Sequence, residues 1–468
     1  MKRSKRMLIL LGVLAVACAA TFGVLHLEKR QEQIKTSGET ILEIPTEDVD
    51  ALAWTYEGQT LSFHLDSSWV YDDDAAFPVD TEAVESLLAQ FQPLQAAFVI
   101  EEAEDLGQYG LDDPICTISV NTADTAYEIL LGDFSAMDSQ RYVSIGDGNV
   151  YLVTEDPMNA FDAQLSDMIL NDAPLPESQV TELRFSGQDS YTIRHEEDNA
   201  LTYSEDDVYF TQQGGNTLAL DTSKVRDYLS ALCTVDLTDY VTYNATEEAI
   251  ASYGLDDPEL TVSVDYTAED EDGESYSDTY VLAISRDPAE LAAQDASADD
   301  SEDEEETITA YARVGDSPII YRLTQEDYED LAAASRDDLR HSQVFWGDTA
   351  QLTQLDITLD GTDYVLPAQN TDDGLTFTYG DETVDGSDLE STLLALSADS
   401  FTDETPDQQQ EIALTLHLDN ENVSQVEIVL YRYDGAHCLA VVDGTPVSLV
   451  SRSDAADLTE AVYAIVLN

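Results

Sequence analysis

Tyr109-Gly110-Leu111-Asp112-Asp113-Pro114 returns as Tyr253-Gly254-Leu255-Asp256-Asp257-Pro258, 144 residues further on (253 less 109). A strand pattern follows each copy: Ile115-Cys116-Thr117-Ile118-Ser119-Val120 and Glu259-Leu260-Thr261-Val262-Ser263-Val264. A short helix-like segment precedes each, at 101–108 and 246–252. Six matched residues with matched flanks mark a tandem duplication. Glycine just past a helix adopts the left-handed conformation that stops it. The leucine beside it folds back onto the last turn, and proline holds the preceding residue extended, so Asp113 and Asp257 open the strands. Paired carboxylates also suggest acid–base chemistry, but consecutive residues on an extended chain point to opposite faces. All twelve residues are therefore read as structural.

Hairpins extend the pattern to a third copy. Residues 141–153, 311–323 and 439–450 each read as strand, turn and strand, with Asp147-Gly148 and Asp443-Gly444 supplying the positive backbone angles of tight turns. A helix-like segment follows each hairpin (155–165, 325–333, 454–465). Upstream, paired strands near 52–71, 180–193 and 352–366 precede helix-patterned stretches at 81–91, 222–232 and 387–396. There apolar residues recur every three or four positions, as in Val84, Leu87, Leu88 and Phe91. The third copy lacks the hexapeptide and is the most diverged. The fold class expected is α+β: tandem units of mainly antiparallel sheet with packed helices, at 45–175, 178–345 and 350–468. In the second unit, 267–277 and 293–307 are acidic and poor in apolar residues, and read as mobile insertions, with a partner-docking loop as the functional alternative.

The N-terminus reads differently. Lys2, Arg3, Lys5 and Arg6 form a basic tail (1–6) ahead of an uncharged run from Met7 to Leu27. At about 1.5 Å per residue that run spans roughly 30 Å, the thickness of a bilayer core. It predicts one retained transmembrane helix (7–27) and a polar stalk (28–44). The positive-inside rule puts the N-terminus in the cytoplasm and the remainder outside the cell membrane. Leu14-Ala15-Val16-Ala17-Cys18 also resembles a lipobox, which makes Cys18 a candidate lipidation site; the other reading is a small apolar residue within the membrane helix.

Charge excludes some partners. The chain carries 97 acidic residues against 19 basic, a formal net charge of −78. Twelve basic residues face 95 carboxylates beyond position 35, giving that part −83. Such a surface repels nucleic acid, which is bound by neutralising its phosphates. Cys116, Cys233 and Cys438 form no metal- or redox-type pair and no disulfide framework. Cys116 shares parity with Ile118 and Val120 and is expected to be buried. Six scattered histidines match no zinc helix, and no nucleophile elbow or phosphate-cradling loop is present. No catalytic residue, metal site or cofactor is expected. Tyr-rich strands leave open a surface for wall glycans, and the acidity leaves open divalent cations.

The hexapeptide, its strand, the hairpin and the N-terminal anchor together resemble the bacterial domain of unknown function 4340 family. That resemblance implies a membrane-anchored extracytoplasmic protein without known enzymatic activity, often associated with ABC transport systems. The function expected is a non-enzymatic scaffold or accessory protein, with ABC-transporter subunits or other envelope proteins as partners. The alternative is a cell-envelope ligand-binding module for wall glycan or divalent cations.

Overall fold

The computed structural model describes residues 38–467 except 188, 198–199, 271, 298–306 and 372–373. The expected tail, membrane run and Cys18 lie outside the described residues. Among the described residues no helix is long and apolar enough to cross a membrane. The chain divides into two compact units, one ending at Asp172 and one starting at Ala173.

The first unit holds strands β1 (Glu39–Leu42), β2 (Val49–Tyr56), β3 (Gln59–Leu65), β4 (Trp69–Tyr71), β5 (Leu94–Ile100), β6 (Cys116–Thr122), β7 (Ala126–Ser135), β8 (Gln140–Ser144) and β9 (Val150–Val153). Helices α1 (Thr81–Leu88) and α2 (Met158–Phe161) accompany them. The sheet order is β4-β3-β2-β6-β7-β8-β9-β5-β1, with every pair antiparallel. A meander thus runs outward from β2, the chain crosses through α1 to β5, beside the edge strand β1, and a second meander, β6 to β9, fills the space between.

The second unit repeats this route twice. Its first sheet contains β10 (Gln179–Gly187), β11 (Tyr191–His195), β12 (Tyr209–Gln213), β13 (Asn216–Ala219), β14 (Tyr240–Thr242), β15 (Leu260–Glu269), β16 (Ser275–Arg286), β17 (Ala310–Val314) and β18 (Ile320–Leu323). Between them lie α3 (Thr222–Thr234), α4 (Glu247–Ser252), α5 (Pro288–Ser297) and α6 (Gln325–Ala332). The order is β13-β12-β11-β10-β15-β16-β17-β18-β14. The other sheet contains β19 (Leu352–Leu359), β20 (Thr362–Thr371), β21 (Gly374–Tyr379), β22 (Glu382–Asp385), β23 (Ala398–Phe401), β24 (Gln410–Leu418), β25 (Gln425–Arg432), β26 (His437–Val442) and β27 (Thr445–Ser451), with α7 (Ser387–Ala395) and α8 (Arg452–Val466). Its order is β22-β21-β20-β19-β24-β25-β26-β27-β23. The fold is α+β, three antiparallel sheets built on one connectivity.

Period-two burial explains each sheet. In β6, Cys116, Ile118 and Val120 are fully buried while Thr117 and Ser119 are not. Val84, Leu87 and Leu88 of α1 are buried as well, as is Phe91 just beyond it. Phe91 meets Phe161 of α2 at 5.6 Å, and Trp54 stacks on Phe63 at 5.7 Å. In the last repeat, α7 and α8 pack Leu389, Leu393, Leu458 and Val462 against Leu414, Leu416 and Ile428.

Four expectations change. Residues 101–108 hold no α-helix, only a single 3-10 turn at Gly107–Tyr109. Four carboxylates at positions 101, 102, 104 and 105 have no intervening base, and Glu102 takes a positive φ of 50°. The 267–277 stretch is no loose insertion: β15 and β16 pair without interruption from Leu260↔Ile284 to Glu269↔Ser275. Thr267 and Ser277 bond across the ladder at 3.2 Å, and Tyr266 meets Tyr276 edge-on at 6.3 Å. The 293–307 stretch begins inside α5, whose first turn is capped by Asp287 Oδ1 accepting from Ala289 and Glu290 amides; its residues 298–306 lie outside those described. The stalk ends early, because Glu39–Leu42 forms strand β1.

Candidate functional site

Each hexapeptide sits at a junction between a helical turn and a strand. Gly110 (φ 70°) follows the 3-10 turn, and Gly254 (φ 72°) follows α4 with its cap at Tyr253. The Leu111 amide donates to Leu106 O at 3.1 Å and the Leu255 amide to Ile250 O at 3.0 Å, which closes both turns. Leu111 and Leu255 are buried, whereas Asp112, Asp113, Asp256 and Asp257 are exposed. The first ladder residues are Cys116 and Leu260, just beyond Pro114 and Pro258. Both tyrosines meet a partner on the second meander: Tyr109 lies 4.9 Å from Tyr142, and Tyr253 lies 4.6 Å from Tyr311. A side chain on Gly110 would come within 2.8 Å of the Asp133 amide nitrogen. Every contact fixes backbone, and the exposed carboxylates converge on nothing within their motif.

A cleft of about 710 Å³ opens in the second unit where the two sheets' sequences meet. Its floor is Asp207, 1 % exposed. Asp207 Oδ2 accepts from Thr202 Oγ1 at 2.8 Å and from the Trp346 indole at 3.0 Å, and Oδ1 lies 2.8 Å from His341 Nε2. His341 stacks on Trp346 at 4.3 Å, and Tyr203 covers Trp346 at 5.1 Å. The other imidazole nitrogen, Nδ1, faces Asp221 Oδ2 at 3.9 Å. Asp221 also caps α3, its Oδ1 accepting from the Ser223 and Lys224 amides. Glu205, Asp206, Ser223 and Arg226 complete the rim.

Polar contacts around this cleft join the two repeats. Asn420 donates to Tyr203 O at 3.1 Å and Asn422 to Thr202 O at 3.4 Å. Lys224 reaches Arg340 O at 2.8 Å and Ser342 Oγ at 3.1 Å. An Asp–His pair is the orienting half of a general base. Here Nε2 is taken up by Asp207, while Nδ1 lies 3.9 Å from Asp221 Oδ2, beyond hydrogen-bond reach. Asp207, His341 and Trp346 are not signalled by the sequence, since 134 and 139 residues separate Asp207 from its two ring partners. The one local hint is a histidine and a tryptophan five positions apart in an inter-repeat linker. No group of three metal-ligating side chains suited to an ion occurs among the described residues.

Among the described residues the scarce cations pair internally. Arg141 meets Asp156 at 2.6 Å, Arg184 meets Asp265, and Arg286 meets Glu259 at 2.8 Å. Arg322, Arg336, Arg340, Arg432 and Arg452 each pair with a carboxylate, and Arg313 donates to Ser317 O. Burial works against the charge of Glu259, but the Arg286 hydrogen bonds outweigh it and hold that carboxyl below its usual range. Burial pushes the Cys116 thiol up to about 12, and burial with neighbouring Glu411 does the same for Cys438.

No curated protein and no solved structure matches the chain. A family model, the domain of unknown function DUF4340, matches twice, over residues 69–247 and 211–416. The matches start at Trp69 in β4 and Thr211 in β12, the third meander strand of successive repeats. The first takes in one hexapeptide and the second the other. Together they cover well over half of the sequence, and the chain belongs to the DUF4340 family.

Proposed function

We propose that this chain is a non-enzymatic scaffold of the cell envelope: a single membrane helix tethering three repeats outside the membrane, as an accessory to an ABC transport system. The observation that supports it most is the threefold reuse of one sheet connectivity, with its recurrent motif spent on backbone closure. Repetition of one architecture provides surface rather than a reaction centre. The uncompensated carboxylates favour solubility and disfavour nucleic acid and anionic lipid surfaces. Crosslinking in intact cells followed by affinity capture tests it: recovery of transporter subunits is the expected result, and recovery of no envelope protein contradicts it.

The cleft over Asp207 favours a second reading, a ligand-binding module for wall glycan or divalent cations. Calorimetry with wall fragments and with calcium separates the two, because a pure scaffold gives no saturable heat with either.

A further inference from the structure

The β15–β16 hairpin is longer than its counterpart. β6 and β7 pair over six rungs, from Cys116↔Leu131 to Asn121↔Ala126, whereas β15 and β16 pair over ten. The hexapeptide spacing equates Asn121 with Asp265, so the extra rungs begin at Tyr266. On the β15 side β10 still pairs as far as Thr267, but on the β16 side the extension outruns its neighbour. β17 pairs with β16 only from Leu282 to Arg286, and the last bond on that side runs from the Gly315 amide to Val281 O at 2.9 Å.

The bond to Val281 fixes which groups face outward. In an antiparallel strand a residue's N–H and C=O point to the same side, alternating along the chain. Val281 faces away from β15, so Thr279, Ser277 and Ser275 do too. The Thr279 amide agrees, since it donates to the Asp278 side chain at 2.8 Å and not to β15. No strand among the described residues pairs with this edge over 275–279. Such an edge is a template for another strand.

Charge selects the occupant. Residues 260–285 contain no lysine or arginine, while Asp265, Glu269, Asp270, Glu271, Asp272, Glu274 and Asp278 are acidic. Arg184 of β10, which reaches the hairpin, is taken up by Asp265, and Arg286 at the far end of β16 is taken up by Glu259. A second copy of this chain would set the same carboxylates against each other. A basic extended segment meets complementary charge, and Tyr276, 40 % exposed, lies beside the edge as an apolar contact.

We propose that the outer edge of β16, at Ser275–Thr279, is a docking site where a lysine- or arginine-rich extended segment of a partner protein adds to the sheet as a further strand. The outward main-chain groups of Ser275 and Ser277 and the Thr279 carbonyl supply the hydrogen bonds, the Thr279 amide being taken by Asp278, and Glu274 and Asp278 supply the selection for cations. This site is independent of the cleft and of the membrane anchor.

The test is fluorescence anisotropy at physiological salt, using the full chain and a labelled ten-residue peptide alternating lysine with valine. Saturable binding is expected. Ser277→Pro removes one outward N–H and the exposed Thr267–Ser277 hydroxyl contact but leaves the backbone bonds to β15 intact, so it should weaken binding about tenfold or more with an unchanged circular dichroism spectrum. Ser277→Ala, which loses only the hydroxyl contact, should bind as the unaltered chain does. A peptide N-methylated at alternate residues should lose binding to the unaltered protein, a result that needs no folded variant. The same peptide with glutamate in place of lysine should not bind. Equal binding of the N-methylated and unmodified peptides means charge attraction alone and overturns the proposal, as does the absence of saturable binding.

Discussion

The amide of Ile44 donates a 3.0 Å hydrogen bond to the carbonyl of Phe91, and this bond recurs in every repeat. Its equivalents run from Leu175 to Leu232 O at 3.1 Å and from Val344 to Leu396 O at 2.9 Å. All six side chains are buried. Each repeat therefore opens by latching its entry residue to a carbonyl at or near the end of the helical segment that follows its first meander. In the first repeat the latch continues into β1, which pairs with β5. In the third it continues as a bond from the Ala398 amide to Ser342 O at 2.7 Å. The latch identifies three copies of one unit even where the hexapeptide is missing.

Phe91→Ala should destabilise the first unit by about 3–5 kcal/mol, the cost of emptying a filled aromatic site. Urea denaturation followed through Trp54 and Trp69 reads it. A shift under about 1 kcal/mol would show that the latch residue is not part of the core.

Gly110→Ala and Gly254→Ala should each cost more than about 1 kcal/mol, since both positions need a positive φ. Gly110 should cost more, because its new methyl meets Asp133 backbone while that of Gly254 meets the Ser285 hydroxyl. Gly435→Ala, with no neighbour within 4 Å, is the control and should be near neutral. Melting temperatures rank the three, and a control as damaging as Gly110→Ala contradicts the motif's role.

Asp207→Asn places an amide N–H₂ or a weaker acceptor against donors from Thr202, Trp346 and His341. The expected loss is about 1–3 kcal/mol in the second unit. Trp346 is the sole tryptophan of that unit and reports the change directly by its emission during urea unfolding. An unchanged midpoint and emission maximum would mean that the buried carboxylate does not hold the ring cluster.

These predictions draw on parts of the molecule that differ in how far sequence reveals them. Helices at 81–88, 222–234 and 387–395 follow from apolar spacing, because one face of each packs on a sheet. The β15–β16 extension hides, since Thr, Ser and Tyr pairs across an exposed ladder look like loop composition. α5 is legible only through Asp287 and Pro288, a cap followed by proline at the first helical position. The Asp207 cluster is invisible because it forms between segments more than 130 residues apart, and Asp207 itself ends an acidic run, Glu205-Asp206-Asp207.

Acid should weaken the second unit partly through Glu259. Its folded-state pKa lies below the unfolded value of about 4.3, so its contribution is complete above that value and disappears as pH falls through the folded one. Glu259→Gln should therefore be less stable than the unaltered chain at pH 7, with the gap closing towards pH 3. An identical gap at both pH values would show that the Arg286 pair carries no linkage.

Cys116 and Cys438 should resist alkylation in the native protein at pH 8, being buried with thiols held protonated. Cys233, half-buried, should react faster. Mass spectrometry of iodoacetamide-treated protein, native and in urea, locates the labels. Native labelling of Cys116 at the rate of Cys233 would contradict the packing of β6.

The most direct measurement is protease accessibility of the chain in intact cells stripped of their outer layers, with a tag at each end. A membrane-bound chain whose C-terminal repeats are digested from outside while the first residues stay protected is the predicted result. Full-length protein recovered in the cytosol, its N-terminal thirty residues intact and its repeats untouched by external protease, would contradict a tethered envelope scaffold.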